Sequence, residues 1–370
     1  MAMRIFGPSL VVSAVALIVA FLYGGPQAFI LCAILGIFEV SLSFDNAVIN
    51  ATVLRRMSEF WQKIFLTVGV LIAVFGMRLV FPLAVVWITA GLDPVRALTI
   101  ALHPPTDGAA YFPDGSPSYE TALTAAHPQI AAFGGMFLMM LFLNYIFEER
   151  EITWLSWLER PLGRAGKLDQ LAVAVALGAL VVASEFFADE AHRTTVLVAG
   201  VLGVFTYIVV DGLGSMFEVD DEETGESSAG PSQLATVTGK AGFFLFLYLE
   251  VLDASFSFDG VIGAFAITTD PIIIALGLGF IGAMFVRSIT IFLVRKGTLS
   301  DYVYLEHGAH WAIGALAVIL LVSLGVHVNE IATGLIGVVL IAAAFISSVV
   351  RNKRLAAAET TKAAELTAAP

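Results

Sequence analysis

Glu39-Val-Ser-Leu-Ser-Phe-Asp45-Asn46 and Asp253-Ala-Ser-Phe-Ser-Phe-Asp259-Gly260 are two copies of one acidic segment in this 370-residue chain. Ser43, Phe44 and Asp45 recur as Ser257, Phe258 and Asp259 at a constant offset of 214 residues, and an acid opens each copy, as Glu39 and Asp253. Each copy lies in an apolar run long enough to cross a bilayer, which takes about 20 residues of helix. Each is followed by another apolar run holding an arginine, Arg78 in the first half and Arg287 in the second. A matching tripeptide alone is a chance event. The shared upstream acid, the equivalent place among the spans and the following arginine make it an internal repeat.

The surroundings are membrane composition. Hydrophobic residues make up 58% of the chain and charged ones 14%, with a mean hydropathy of +0.90. Soluble domains sit nearer roughly 45–50% and 25%. The apolar runs predict ten transmembrane helices, at 9–23, 27–53, 64–90, 129–147, 169–188, 195–217, 241–267, 272–294, 310–326 and 331–350. Arg4 followed by Leu10 to Tyr23 also has the make-up of a signal-peptide core, but no small-x-small cleavage site follows, so it reads as the first span.

Lys and Arg set the orientation. Alternating the ten spans puts fifteen of the nineteen basic residues on one side, among them Arg55, Arg56, Arg150, Arg160, Arg164 and Arg351. The other side holds only Arg96 and Arg193. The expectation is an integral protein of the plasma membrane, the inner membrane of a bacterium, with both termini in the cytoplasm. Spans two and seven are then five crossings apart, so the copies run in opposite senses. That is an inverted-topology repeat, a construction in which transporters place their site near mid-membrane.

The fold class is therefore an all-α polytopic membrane protein of two inverted halves. Residues 1–217 form the first membrane half, with an external loop at 91–128 expected to hold little regular structure. An acidic cytoplasmic linker spans 218–239, the second membrane half 240–354, and a cytoplasmic tail, a frayed helix or disordered, 355–370. The net charge of −12 argues against nucleic acid as a partner. Cys32 is the only cysteine, so no internal disulfide can form.

A charge at the centre of a membrane helix costs about 2.5–3.5 kcal/mol on insertion scales. Glu39, Asp45, Glu250, Asp253 and Asp259 all fall within two spans, which becomes intelligible if they face one another around a cation. Residues three, four or seven apart share a helix face. Glu39, Ser43 and Asn46 form one stripe on span two, and Glu250, Asp253, Ser257 and Gly260 the matching one on span seven. Asp45 and Asp259 fall off these stripes. Because Asn46 and Gly260 tolerate non-helical backbone, both helices are expected to break near Ser-Phe-Asp and expose carbonyls beside the acids. The candidate ligands are Glu39, Asp45, Asn46, Glu250, Asp253 and Asp259, supported by Ser43, Ser257, Arg78 and Arg287. Oxygen ligands without Cys or His favour Mn2+, Mg2+ or Ca2+ over zinc or copper. Carboxylates crowded together take up protons when the metal leaves, which makes protons a candidate coupling ion. Arg78 and Arg287 are read as neutralising acids and locking helices. Asn144, Glu185 and Asp211 suit either a pathway or the interface, and His307 and His310 a vestibule or a cap.

At these residues the sequence resembles the TerC family of integral membrane proteins. That family pairs an acid-x-x-Leu-Ser-x-Asp-Asn stretch, here Glu39 to Asn46, with a second stretch, here Glu250-Val-Leu-Asp253-Ala-Ser-Phe-Ser-Phe-Asp259 continuing to Ile267-Thr-Thr-Asp270-Pro271 and Arg287. The resemblance covers residues 30–90 and 245–325. It implies Mn2+ transport, generally export that relieves metal excess, an association with tellurite resistance, and metal-ligand roles for the acids named. Gly260 departs from the Ser of many relatives, and the additional helices and long external loop are departures too. Two other classes are weighed: a non-transporting scaffold or metal-loading chaperone, and a membrane-embedded hydrolase. The Tyr-Asp and Gly-x-Gly-Asp elements of intramembrane aspartyl proteases, a His-Glu-x-x-His zinc motif and a serine-nucleophile motif are all missing, so no enzyme is expected.

Overall fold

The computed structural model of the chain describes residues 2–80, 83, 84, 86, 87, 91, 93–103, 105, 109–222, 239–265, 267, 268, 270–295, 302–326, 328 and 330–368. Among them the only β-structure is a bridge between Tyr111 and Pro117. The helices are α1 (Ala2–Leu42), α2 (Phe44–Leu54), α3 (Glu59–Ile64), α4 (Pro94–Leu102), α5 (Tyr119–Phe147), α6 (Ser156–Ala165), α7 (Leu171–Phe186), α8 (Arg193–Glu222), α9 (Gly239–Phe265), α10 (Pro271–Ile274), α11 (Ala283–Arg295), α12 (Leu305–Val322) and α13 (Glu330–Ala368). π-Helical stretches follow α3 at Phe65–Gly69 and Ile72–Val80, and join α10 to α11 at Ala275–Gly282.

α1 is a hairpin. Gly24 and Gly25 leave the helical region, and Gly25 takes φ 68 and ψ −157, a conformation open essentially to glycine alone. Before this turn, the Ser9 hydroxyl donates to the Met284 carbonyl at 2.8 Å, and the Ser288 hydroxyl donates to that of Ile5. After it, Leu35 and the Cys32 carbonyl press on Gly277, Gly36 meets Ile281, and Glu39 lies against Gly282. The first arm runs down the Pro271–Arg295 helix and the second climbs back up it.

Among the described residues six helices are long and apolar enough to cross a membrane, or seven if the pair Glu59–Gly69 and Ile72–Arg78, bent by 47°, is one span. The first of the six, Met3–Val40, is the hairpin. With the 16-residue α7 and the 27-residue α9, helical segments stand at each of the ten expected positions. Outward faces carry bare apolar side chains, such as Val181, Phe186 and Phe205. Polar groups gather inside, where Glu39, Asn46, Asn50, Arg78, Glu250 and Asp253 are buried. This is an integral membrane protein, polytopic and all-α.

The two halves share a local plan. In each, the repeat helix ends in a turn, and a capped helix follows that loosens into π-helix. Ser58 caps α3 by accepting from the Trp61 N–H; Asp270 caps α10 by accepting from Ile272 and Ile273, with Pro271 at the first helical position. π-Helical turns concentrate at functional sites.

Three expectations change. The segment 91–128 is not structureless: Asp93 caps α4 ahead of Pro94, Ser118 caps α5, and α5 carries Pro128 inside it, starting well before residue 129. Span three is sharply bent rather than a single rod. The acidic segment is helical to Glu222, and its remainder, 223–238, lies outside the described residues. The tail takes the helical alternative, as α13 continues to Ala368.

Candidate functional site

The repeat copies meet antiparallel. Asn46 Nδ2 donates to Asp253 Oδ1 at 2.8 Å, and a Cβ placed on Gly260 would lie 2.8 Å from Glu39 Oε2. At the offset of 214, Glu39 corresponds to Asp253 and Asn46 to Gly260. The contacts 39–260 and 46–253 are therefore images of one another about a local two-fold axis. This relation follows from coordinates and sequence together, and it bears out the inverted sense of the copies.

The backbone treats the copies differently. In the first, Ser43 interrupts the helix with φ −96 and ψ 15, yet its N–H still reaches the Glu39 carbonyl at 2.8 Å. The break expected near Ser-Phe-Asp is thus a one-residue distortion at Ser43. In the second copy no break exists: α9 is helical from Gly239 to Phe265. Gly260 serves there as space for Glu39, not as a source of unusual dihedrals, and this corrects the expectation for span seven.

Glu39 is the most enclosed acid among the described residues. Ser43 Oγ donates to its Oε1 at 2.8 Å, and Arg78 Nη2 donates to the same oxygen. Gly282 has no side chain because there is no room for one: its Cβ would lie 2.1 Å from Glu39 Cγ. Arg78 also gives Nη1 to the Ala73 carbonyl at 2.7 Å and stands 4.0 Å from Asp253 Oδ2. One guanidinium therefore ties an acid of the first copy to an acid of the second.

Arg287 is not its counterpart. It lies 209 residues after Arg78, outside the register of the repeat, and its Nε donates to the Leu66 carbonyl at 2.7 Å, tying α11 to the first π-helical stretch.

Glu250 differs from Glu39. It is 7% exposed, and neither carboxylate oxygen has a hydrogen-bond partner among the described residues; the same holds for Asn50 Oδ1. Both line a cavity of about 30 Å³, with Asp253, Arg78, Arg287 and Thr290. A water needs about 10–15 Å³ of such space, so the cavity is ion-sized. Gly69 makes room for the carboxylate, since a Cβ there would lie 2.8 Å from Glu250 Oε1. Buried polar atoms are almost always satisfied, so three oxygens with no partner among the described residues, beside one small cavity, make this the candidate site.

Of the sequence-predicted residues, Glu39, Ser43, Asn46, Arg78, Glu250 and Asp253 come together. The side chains of Asp45, Ser257 and Asp259 lie outside the described residues. Among the described residues no three His, Cys, Asp or Glu side chains converge to hold an ion, and Arg78 stands against both Glu39 and Asp253. Sequence reasoning missed Asn50, which lies one helical turn beyond Asn46 and could have been found by the same spacing rule. It also missed Gly69 and Gly282, for which the sequence held no signal.

Residues 44–355 match the family described as Protein of unknown function (DUF475). Neither the curated proteins nor the solved structures yield a match. The matched span takes in both repeat helices from Phe44 onward, the cavity and most of the bundle, and the chain belongs to the DUF475 family.

Proposed function

We propose that this protein carries a divalent metal ion across the membrane, Mn2+ ahead of Ca2+ or Mg2+, with export the direction and protons the exchanging ion. The observation that carries the reading is Glu250: a buried carboxylate whose oxygens find no protein donor, facing an ion-sized cavity beside Asp253 and Asn50. Hard oxygen donors suit these three cations, and the TerC-like residues point to the same cargo. The distribution of Lys and Arg supports a plasma-membrane protein with cytoplasmic termini. On this reading Arg78 holds Glu39 and Asp253 while the cation is absent, and a bound cation competes with it for the same oxygens. Asp45 and Asp259 complete the ligand set.

The test is Mn2+ flux into vesicles containing the pure protein. Glu250→Gln should lower the initial rate roughly tenfold or more, since ligand charge sets affinity in such sites, while leaving the fold at least as stable. Asp45→Asn and Asp259→Asn should do the same to flux. Wild-type rates equal to those of empty vesicles, or full rates in Glu250→Gln, would refute the reading. The Arg78–Glu39 pair favours a second reading, a non-transporting scaffold whose polar groups only fasten helices. That reading requires no flux in any variant.

A further inference from the structure

A second, larger cavity of about 390 Å³ lies at the end of the bundle where α2 closes on Arg55 and Arg56. Its walls come from α2, α5, α8, α9 and α12, and they are polar: Thr52, Asn144, Tyr145, Asp211 and Glu306 all face it. Arg150 at its rim is held by Glu148 at 2.5 Å and Glu306 at 3.8 Å, and its guanidinium sits 3.8 Å from the Tyr145 ring centre. The Tyr145 hydroxyl is buried and has no hydrogen-bond partner among the described residues. Apolar voids stay dry, whereas a polar space of this size is of the kind that holds water.

The position matters more than the size. On α9, Leu245 and Tyr248 line this cavity, while Glu250 and Asp253 line the ion-sized one. On α2, Thr52, Val53 and Arg56 line the first, and Asn50 the second. Two residues of helix rise about 3 Å, so along both repeat helices the residues lining one cavity lie within a turn of those lining the other. Tyr207 and Tyr248 stand in the wall of the larger cavity and close on fully buried Phe137, with ring centres 5.6 Å, 5.9 Å and 6.3 Å apart in the three pairings.

Resting on the transport reading above, we infer that this cavity is the vestibule through which the cation passes to or from Glu250. Thr52, Asn144 and Asp211 supply oxygens to a cation still partly hydrated.

The experiment uses single cysteines in the full chain. Cys32 is completely buried, so the unmodified protein is the unreactive blank. Thr52→Cys and Asn144→Cys are compared with Phe205→Cys, which lies on the outward face of α8. A charged, membrane-impermeant methanethiosulfonate should label the first two roughly tenfold faster than the third, and from one side only, because the reactive thiolate forms in water and not in lipid. Once labelled, each vestibule variant should lose Mn2+ flux roughly tenfold relative to its own unlabelled rate, as a fixed positive charge repels the cation. Labelling no faster than at Phe205, or flux that survives labelling at both positions, would overturn the vestibule and leave the transport reading standing. Absence of Mn2+ flux in the unlabelled wild-type protein would sink the transport reading, and the vestibule with it.

Discussion

Arg78→Gln is the substitution with the largest consequence worked from this structure. Arg78 and Glu39 are 4% and 1% exposed, and Gly260 and Gly282 close on the Glu39 side chain. Removing one partner of such a pair strands the other, which costs about 3–5 kcal/mol. At about 2 °C per kcal/mol, the lower end for large domains, the melting temperature in detergent should fall by roughly 6–10 °C. Adding Glu39→Gln to the same chain removes the stranded charge, and most of the loss should return. A wild-type melting temperature for Arg78→Gln, or no recovery in the double variant, would show that the pair is not the energetic centre of the repeat contact. A second readout separates transport from scaffolding. If the cation competes with Arg78 for Glu39 and Asp253, Mn2+ should stabilise Arg78→Gln more than the wild type, by up to about 2.7 kcal/mol at a hundred times the dissociation constant. Equal responses to Mn2+ would refute competition at these carboxylates.

Glycine positions give cleaner tests of the frame. Gly25→Ala meets open space, so its cost is backbone strain alone, about 1–3 kcal/mol, and thermal unfolding should register it without any change in Mn2+ response. Gly282→Ala forces a methyl into the Glu39 stem and should destabilise by about 1–3 kcal/mol, the range for overpacking. Gly260→Ala meets only the far end of the Glu39 side chain, so thermal unfolding should show a smaller loss than for Gly282→Ala; an equal or larger loss would mean that Arg78 holds the carboxylate too rigidly to yield.

Much of this arrangement was legible in the sequence because it rests on periodicity. Glu39, Ser43 and Asn46 were assigned one face by spacing, and Ser43 does donate to Glu39 while Asn46 reaches across to Asp253. The antiparallel meeting followed from counting crossings. What sequence could not give is how each glycine is used. Gly260 was read as a point of backbone freedom, whereas its helix is regular and its missing side chain is the feature that counts. By sequence the two arginines are equivalent because both follow a repeat helix, but Arg78 bonds Glu39 and stands beside Asp253 whereas Arg287 Nε bonds the Leu66 carbonyl, and side-chain direction is set by the three-dimensional register that a five-residue difference in offset destroys. The helix at Pro94–Leu102 is hidden for a different reason: Pro and Asp are loop formers by composition, yet here together they cap a helix start.

The departures between the two copies compensate one another. Across the two-fold axis a long acid faces no side chain, Glu39 against Gly260, and a short acid faces an amide, Asp253 against Asn46. Each pairing fills a similar space with different chemistry. The longer acid reaches Arg78 and Ser43 and is neutralised there. The shorter one accepts from Asn46, stays 4.0 Å from Arg78, and lies next to Glu250 and the ion-sized cavity. A symmetric pair of segments thus yields one carboxylate that is paired and one that borders open space. The asymmetry resides both in the length of each acid and in the residue that stands opposite it, Gly260 against Glu39 and Asn46 against Asp253.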